Sequence, residues 1–313
     1  MSHAERLHAD IENLVIQYDE GFRLRCADLH LKGHVFAILG HNGAGKSTFI
    51  KATLGLLQPL HGSLRFTYHD DGVSIPLLPE RHMAFCPENG AVFADISVES
   101  YIQLWCRIKH GNAAYYKQDG SRYIEQLHIA PLMRKLGREL SKGQRRRVQT
   151  AIGFLLEPKL FLFDEPFDGL DVQRTSELAD LMSTESARMA VILSSHRMDV
   201  VERLADTVIV LREGQIEAAG PTQEVAAQLC GHTLRISGLP KPEEQADGIR
   251  QRFPHYIVNR LGTEVTVTGE GSLPETLAPL LEPYAVQTEL TPPSLTDAIS
   301  YHLRQVRTTV TTD

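Results

Sequence analysis

The chain has 313 residues, of which 42% are hydrophobic and 23% are charged, as in an ordinary globular protein of one large or two modest domains. Its formal net charge of −7 argues against a protein that binds nucleic acid through a general positive field. No apolar run approaches the roughly 18 residues that a membrane-spanning helix needs. The first residues include acids and no apolar segment, which is not typical of a secretory signal. The sequence therefore predicts a cytoplasmic protein whose membrane role requires a partner chain.

In chain order, short apolar runs alternate with segments of helical spacing, which predicts an α/β fold. Residues 35–39 form the first predicted buried strand, and residues 48–57 have the apolar spacing of a helix. Residues 96–138 lack strand signals and predict a mainly helical insert. Three further buried strands are predicted at residues 159–163, 190–194 and 207–211.

The last strand of this series is followed by a turn signal at Glu213-Gly214, which predicts a hairpin with residues 215–219. Beyond Cys230 the pattern changes to short strand-like segments among many Gly and Pro residues. We therefore predict an α/β domain over residues 1–230, with its helical insert at about 96–140, and a small α+β accessory domain over residues 231–313.

An eight-residue segment directly after the first strand matches the phosphate-binding pattern G-x-x-x-x-G-K-[ST] at every fixed position. Glycines let the backbone turn its N–H groups toward a polyphosphate, and the following helix presents its positive end to the same anion. Lys46 is predicted to contact the β- and γ-phosphates, and the Ser47 hydroxyl to bind Mg²⁺. The predicted nucleotide-binding residues of this segment are Gly40, Asn42, Gly43, Ala44, Gly45, Lys46, Ser47 and Thr48.

A second site is predicted where the strand at residues 159–163 ends in two acids, Asp164 and Glu165. Ligands bind at the carboxyl ends of the buried strands of parallel sheets. We expect Asp164 to hold Mg²⁺ through water and Glu165 to polarise an attacking water as general base. A solvated acidic turn after a strand is the alternative, which the neighbouring phosphate-binding pattern disfavours.

Further motifs, taken with these two sites, resemble those of the ABC ATPase family over about residues 11–225, in the family's order and spacing. The motifs are the LSGGQ-like signature Leu140-Ser141-Lys142-Gly143-Gln144, the D-loop Gly169-Leu170-Asp171, the H-loop His196, the A-loop aromatic Tyr18 and the Q-loop Pro87-Glu88. The resemblance implies a P-loop NTPase fold of the ABC ATPase type. Its parts would be a parallel core sheet, an antiparallel N-terminal β subdomain and a helical subdomain.

The resemblance also implies ATP and Mg²⁺ as cofactors and a role for each motif. Lys46, Glu165 and His196 would carry the catalysis. Tyr18 would stack on the adenine. The implied Mg²⁺ ligands are Ser47, Glu88 and Asp164. The residues implied to reach the nucleotide of a second copy, or of a homologous ATPase, across a dimer interface are Ser141, Gly143, Gln144 and Asp171.

Two residues depart from the family pattern. Glu88 stands where the Q-loop has glutamine, and its carboxylate adds negative charge near the γ-phosphate, which predicts slower hydrolysis. Lys142 stands where LSGGQ has glycine, and we expect its side chain to point to solvent rather than to a phosphate.

The C-terminal part carries a weaker resemblance. Residues 293–298 are similar to the "PSLEDVF" element of ATPases from bacterial drug, antibiotic and polysaccharide exporters, although Ser294 and Asp297 also fit a plain helix cap. The resemblance implies the ATPase subunit of an exporter, held at the cytoplasmic face of the membrane by a separate permease. Two alternatives remain open: a non-transport ABC ATPase, and a nucleotide-binding scaffold with little turnover.

Overall fold

The computed structural model describes residues 6–18 and 21–310, with side chains as far as residue 302. Within this part of the chain one compact unit ends at Ala219 and a second begins at Gly220. The sequence placed the domain boundary at residue 230, whereas the helix Thr222–Leu229 lies in the second unit, where it packs against the helix Leu295–Val310.

The first unit is built on one large sheet whose strands run β6-β5-β1-β2-β11-β10-β4-β9-β8-β7, with β3 paired to β1. Strand β4 pairs in parallel with β10 and β9, and β8 pairs in parallel with β9 and β7. Strand β1 pairs antiparallel with β2, β3 and β5. The strands are β1 (Leu7–Gln17), β2 (Arg23–Cys26), β3 (Leu29–Gly33), β4 (Val35–Leu39), β5 (His61–Asp70), β6 (Val73–Pro76), β7 (Met83–Cys86), β8 (Leu160–Phe163), β9 (Ala190–Ser195), β10 (Thr207–Arg212) and β11 (Gln215–Pro221).

The central strands β4, β8 and β9 are buried at every position, as expected when helices cover both faces of a parallel sheet. Their sequences are almost wholly apolar, which is why the sequence located them to within one residue. The helices of this unit are α1 (Lys46–Thr53), α2 (Pro79–His82), α3 (Val98–His110), α4 (Ser121–Gln126), α5 (Lys142–Leu155), α6 (Val172–Glu185) and α7 (Met198–Leu204).

Helix α1 ends at Thr53, four residues before the predicted end at residue 57. Gly55 adopts a left-handed φ of 69° and donates its N–H to the carbonyl of Ala52, which turns the chain out of the helix. The predicted helical insert is confirmed as α3 and α4 with single 3₁₀ turns around them. Ser97 caps α3 by accepting a hydrogen bond from the N–H of Ser100.

The predicted hairpin turn joins β10 to β11. Glu213 and Gly214 have φ values of 48° and 77°, the positive pair that a tight two-residue hairpin requires. A Cβ on Gly214 would lie 2.1 Å from the carbonyl oxygen of Arg23, so the turn also needs glycine for close approach to β2.

The second unit is the predicted small α+β fold, and its antiparallel sheet runs β13-β14-β12-β15. Ser294 caps its last helix by accepting a hydrogen bond from the N–H of Asp297, as the capping alternative predicted. Its elements are α8 (Thr222–Leu229), β12 (His232–Ser237), α9 (Pro242–Arg252), β13 (Ile257–Leu261), β14 (Glu264–Gly269), α10 (Leu273–Leu281), β15 (Gln287–Thr291) and α11 (Leu295–Val310). In neither unit, as far as residues 6–18 and 21–310 describe them, is a helix long and apolar enough to cross a bilayer.

Candidate active site

The parallel core brings four loops of the first unit to one edge of the sheet. Strands β4, β7, β8 and β9 run in the same direction, so the residues that follow them meet at their carboxyl ends. The loops begin at Gly40 after β4, Pro87 after β7, Asp164 after β8 and His196 after β9. Four segments that are far apart in the sequence therefore converge on one place.

A cavity of about 380 Å³ lies at this edge, within the range of small-molecule sites. It brings together predicted residues of the phosphate-binding segment, the Q-loop, the acidic pair and Tyr18. Its lining residues are Tyr18, Phe22, His41, Asn42, Gly43, Gly45, Lys46, Ser47, Thr48, Glu88, Asp164 and Glu165. Gly40 and Ala44 belong to the same loop but do not line the cavity, and Ala44 is fully buried.

Lys46 is held inside the phosphate-binding loop. Its ammonium donates to the carbonyls of Gly40 at 2.8 Å and His41 at 3.3 Å and lies 3.1 Å from Oε1 of Glu165. The side chain is only 7% exposed. A phosphate entering the cavity would meet a cation that is already desolvated and oriented, which strengthens its attraction for an anion.

Glu165 lies between two basic groups. Its Oε1 faces Lys46, and its Oε2 lies 3.0 Å from Nδ1 of His196. The residue adopts a left-handed φ of 49°, a conformation that costs a non-glycine residue about 1–3 kcal/mol and that clusters at functional sites. The three residues predicted to carry the catalysis therefore form one chain of contacts.

Ser194 links the two acids and was not found from the sequence. Its fully buried Oγ donates to Oδ1 of Asp164 at 2.6 Å and accepts from the N–H of Glu165 at 2.9 Å. A buried hydroxyl at the end of an otherwise apolar strand was the available signal, because buried polar groups need partners.

The side chain of Lys142 contacts Glu88, which differs from the expectation based on the sequence. It was expected to point to solvent, but its ammonium donates to Oε1 of Glu88 at 2.8 Å. Both side chains are about half exposed, 49% for Lys142 and 47% for Glu88. The Lys142 ammonium holds the pKa of the Glu88 carboxyl below its usual value, through the hydrogen bond first, while partial burial acts in the opposite direction.

The signature residues lie apart from this cavity at the start of α5. Ser141 caps the helix by accepting from the N–H of Gln144, and the Gln144 side chain accepts from the N–H of Ser141 in return. Asp171 caps α6 by accepting from the N–H of Arg174. Ser141, Gly143, Gln144 and Asp171 do not line the cavity of their own chain.

Two aromatic rings border the cavity. Tyr18, predicted to stack on adenine, is 50% exposed, and its hydroxyl accepts from the Lys51 ammonium at 3.1 Å. Phe22 was not predicted, and its ring lies so close to Gly45 that a Cβ there would be 2.9 Å from Cζ. An aromatic residue four positions after Tyr18 was the sequence signal for this second ring.

Residues 28–168 match the family model described as ABC transporter. The chain contains an ABC transporter ATP-binding domain. Members of this domain family hydrolyse ATP.

The relatives of this ATP-binding domain differ in the share of their length that the match covers. The chain is 28% identical over 204 residues to the ABC transporter ced-7 of Caenorhabditis elegans, and the match covers 65% of this chain and 12% of ced-7. It is 30% identical over 235 residues to the molybdenum import ATP-binding protein ModC of Salmonella typhimurium, covering 72% of this chain and 64% of ModC. The chain thus spans less than two thirds of either relative.

A solved structure described as the ATP binding subunit of an ABC transporter is similar in fold and sequence. It superposes with a TM-score of 0.60 at 26% identity and covers 70% of this chain and 92% of that chain. The likeness confirms the predicted α/β fold of P-loop NTPase type for the ABC ATP-binding domain.

The residues of this ATP-binding domain fit ATP with Mg²⁺. Ser47 is exposed and lines the cavity together with Asp164 and Glu88, and hydroxyl and carboxylate oxygens are ligands that Mg²⁺ prefers. Among the described residues no three His, Cys, Asp or Glu side chains are grouped closely enough to hold a metal ion. With a nucleotide, Mg²⁺ usually takes its remaining ligands from phosphate oxygens and water.

Proposed function

We propose that the chain is the ATP-hydrolysing subunit of an ABC transporter, acting as an exporter through a separate membrane permease. The observation that carries the proposal is the contact chain from Lys46 through Glu165 to His196 at the edge of a nucleotide-sized cavity. A positioned cation, a general base and a basic partner for that base are the groups that phosphoryl transfer to water needs.

Each side chain has a stated task in this proposal. Lys46 offsets charge that develops on the phosphoryl oxygens. Glu165 accepts a hydrogen bond from the attacking water and orients it. His196 positions the Glu165 carboxylate, and with half of its side chain exposed it would be free to donate a hydrogen bond to the γ-phosphate of a bound nucleotide. Ser47 and Asp164, with Glu88 beside them, would hold Mg²⁺, which would supply positive charge to offset that of the phosphates.

A second copy of the chain, or a homologous ATPase, completes the site in this proposal. Gly143 is exposed and a Cβ there would meet nothing within 4 Å, so the chain's own packing does not require glycine at this position. The start of α5 also offers free N–H groups and a positive helix end. We infer that Ser141 and Gly143 approach the γ-phosphate of the partner copy, with Asp171 at the same interface.

A separate permease would bind the helical insert at the cytoplasmic face of the membrane. Two large apolar side chains of its helix α3 are exposed, Leu104 (41%) and Ile108 (64%), and Phe93 (57%), in the loop before it, packs against Tyr101 of the same helix. A groove of about 450 Å³ is lined by Ile108 together with Phe85 and Trp105. A short apolar helix from a permease would cover these side chains. Their replacement by serine should release a co-purified permease without changing ATP binding.

The direction of transport is proposed from the C-terminal resemblance alone. Residues 293–298 are similar to an element of exporter ATPases, whereas ModC is named for molybdenum import. An adjacent gene for a multi-span permease, expressed with this chain in vesicles, would allow ATP-dependent movement of its cargo to be followed in each direction. Uptake only into the cytoplasmic compartment would contradict export.

ATP hydrolysis by the purified chain, with Glu165→Gln as control, tests the catalytic proposal. The control variant should bind ATP, accumulate as a dimer and lose nearly all turnover. Equal turnover in both proteins would remove Glu165 as the base. Binding without any turnover in the unaltered chain would favour the scaffold alternative.

A further inference from the structure

The loop after β7 packs closely against the backbone of helix α5, which is the first of three links between them. Residues 87–90 form a turn in which the N–H of Gly90 donates to the carbonyl of Pro87. Gly90 has a φ of 64°, and a Cβ there would lie 2.7 Å from the backbone N of Arg146. The close approach of loop and helix therefore depends on glycine, because a side chain would push the two backbones apart.

Arg146 provides a second link between the same loop and helix. Its guanidinium is buried, and Nε and Nη2 donate to the carbonyl of Glu88 at 2.9 Å and 2.6 Å. Its Nη1 donates to the carbonyl of Asp168 at 2.5 Å, in the loop after β8. These hydrogen bonds hold the backbone of Glu88 beside the nucleotide cavity, and they do not involve its side chain.

Lys142 provides the third link and the one that touches the carboxylate. It lies four residues before Arg146 on α5, so both side chains project from the same face of the helix. Its ammonium donates to Oε1 of Glu88 at 2.8 Å. Within the cavity lining, Asp164 and Glu165 are also acidic, so an unpaired Glu88 would place a third negative charge where phosphates are proposed to bind.

We propose that Lys142 is a positioning residue that neutralises Glu88 and holds its carboxylate at the start of α5. The two residues that depart from the family pattern then form one functional pair. Lys142 offsets the repulsion between Glu88 and a bound polyphosphate, and it acts only through Glu88. This inference rests on the proposed nucleotide site but concerns a residue outside the cavity lining.

The pair is tested first in the nucleotide-free protein by a double-mutant cycle on the free energy of unfolding, with Lys142→Met, Glu88→Gln and the variant that carries both. The two substitutions should not add, because each single variant already removes the contact between the ammonium and the carboxylate. Arg145→Met is the matched control, since it removes one positive charge from an exposed position on the same helix, and its effect should add to that of Glu88→Gln. Additive effects of Lys142→Met and Glu88→Gln, or the same coupling for Arg145→Met, would overturn the pairing.

The functional consequence is tested by ATP titration without Mg²⁺, which prevents hydrolysis. Lys142→Met should raise the Kd for ATP about threefold at low salt, as expected for one half-exposed ion pair, and the effect should fade at 0.5 M salt. In the Glu88→Gln background the same substitution should leave the Kd unchanged. An equal rise in both backgrounds, or none in either, would contradict action through Glu88.

The two arms separate the inference from the proposed function. A chain that binds no ATP at all refutes the proposed nucleotide site, and with it the functional part of this inference, while the double-mutant cycle still decides whether the pair exists. A chain that binds and hydrolyses ATP normally in the Lys142→Met variant keeps the proposed function and refutes the inference.

Discussion

The ammonium of Lys46 and Oε1 of Glu165 lie 3.1 Å apart and are both largely buried, at 7% and 14% side-chain exposure. Lys46, which is proposed to bind phosphate, and Glu165, which is proposed as the base, therefore neutralise each other in the nucleotide-free protein. A polyphosphate must compete with the carboxylate for the ammonium, and when it succeeds the carboxylate becomes available to a water molecule.

Lys46→Ala should weaken ATP binding strongly. The variant loses charge-assisted hydrogen bonds to phosphate worth roughly 2–3 kcal/mol, so we expect a rise of about 100-fold in the Kd for ATP. It also leaves Glu165 without its buried cation. A fluorescence titration with a labelled ATP analogue measures the effect, and an unchanged Kd would contradict the proposed phosphate contact.

Glu165→Gln should lower the Kd for ATP, although ATP hydrolysis is lost. The neutral amide no longer competes for the Lys46 ammonium, so ATP should bind a few-fold more tightly, within the range of about 1 kcal/mol expected for relief of a competing ion pair. The same titration shows the effect. Weaker binding in this variant would indicate that Glu165 helps to hold the nucleotide instead of competing with it.

Ser194→Ala should slow ATP hydrolysis with little change in the affinity for ATP. The substitution removes the hydrogen bonds that fix Asp164 and the strained backbone of Glu165. A loss of about 1.4 kcal/mol in transition-state stabilisation corresponds to a tenfold lower kcat.

The next residue offers the matched control for Ser194. Ser195 is equally buried, but its hydroxyl accepts from the N–H of Arg197 and touches neither acid. Ser195→Ala should therefore reduce kcat less than Ser194→Ala does. Equal losses in the two variants would mean that Ser194 has no special role in placing the acids.

Tyr18 and Phe22 can be separated by substitution, since both rings line the cavity. Stacking on a base is worth about 1–3 kcal/mol, so Tyr18→Ala should raise the Kd for ATP about tenfold, while Tyr18→Phe keeps the ring and the affinity. Phe22→Ala should have a smaller effect, because Phe22 packs against Gly45 in the loop. A larger loss in Phe22→Ala would assign the adenine contact to Phe22.

The sequence located the central strands and the site loops because both rest on local chemistry. Strands buried on two faces are continuous apolar runs, and the phosphate-binding loop is specified by glycines at fixed positions. The outer strands were expected only as a subdomain. In β5 and β6 few side chains are fully buried, so their sequences carry little apolar periodicity.

Side-chain contacts between distant segments were beyond the reach of the sequence. Lys142 and Glu88 are 54 positions apart, and Ser194 and Asp164 are 30 positions apart. Each pairing depends on how α5 lies against the loop after β7, or on the register of β8 against β9. Neither relationship leaves a periodic signal, so Lys142 was wrongly expected to point to solvent.

Gly153→Ala should destabilise the first unit although alanine favours helices. Gly153 lies inside α5, where a Cβ would come within 1.9 Å of Cζ of the fully buried Phe161. Overpacking of a core costs about 1–3 kcal/mol, which exceeds the gain of about 0.5–1 kcal/mol from replacing a helical glycine. We expect a net loss of about 1 kcal/mol in the free energy of unfolding, measured by calorimetry.

Gly248 provides the opposite case within the same chain. It lies in helix α9, is exposed, and a Cβ there would meet nothing within 4 Å. Gly248→Ala should therefore stabilise the second unit by about 0.5–1 kcal/mol.

The clash at Gly153 is tested by a second substitution. Adding Phe161→Leu to Gly153→Ala should recover part of the loss in the first unit, because the smaller side chain makes room for the new methyl group. Stabilisation by Gly153→Ala alone would show that Phe161 moves aside at little cost, and that the contact between α5 and β8 is looser than the structure indicates.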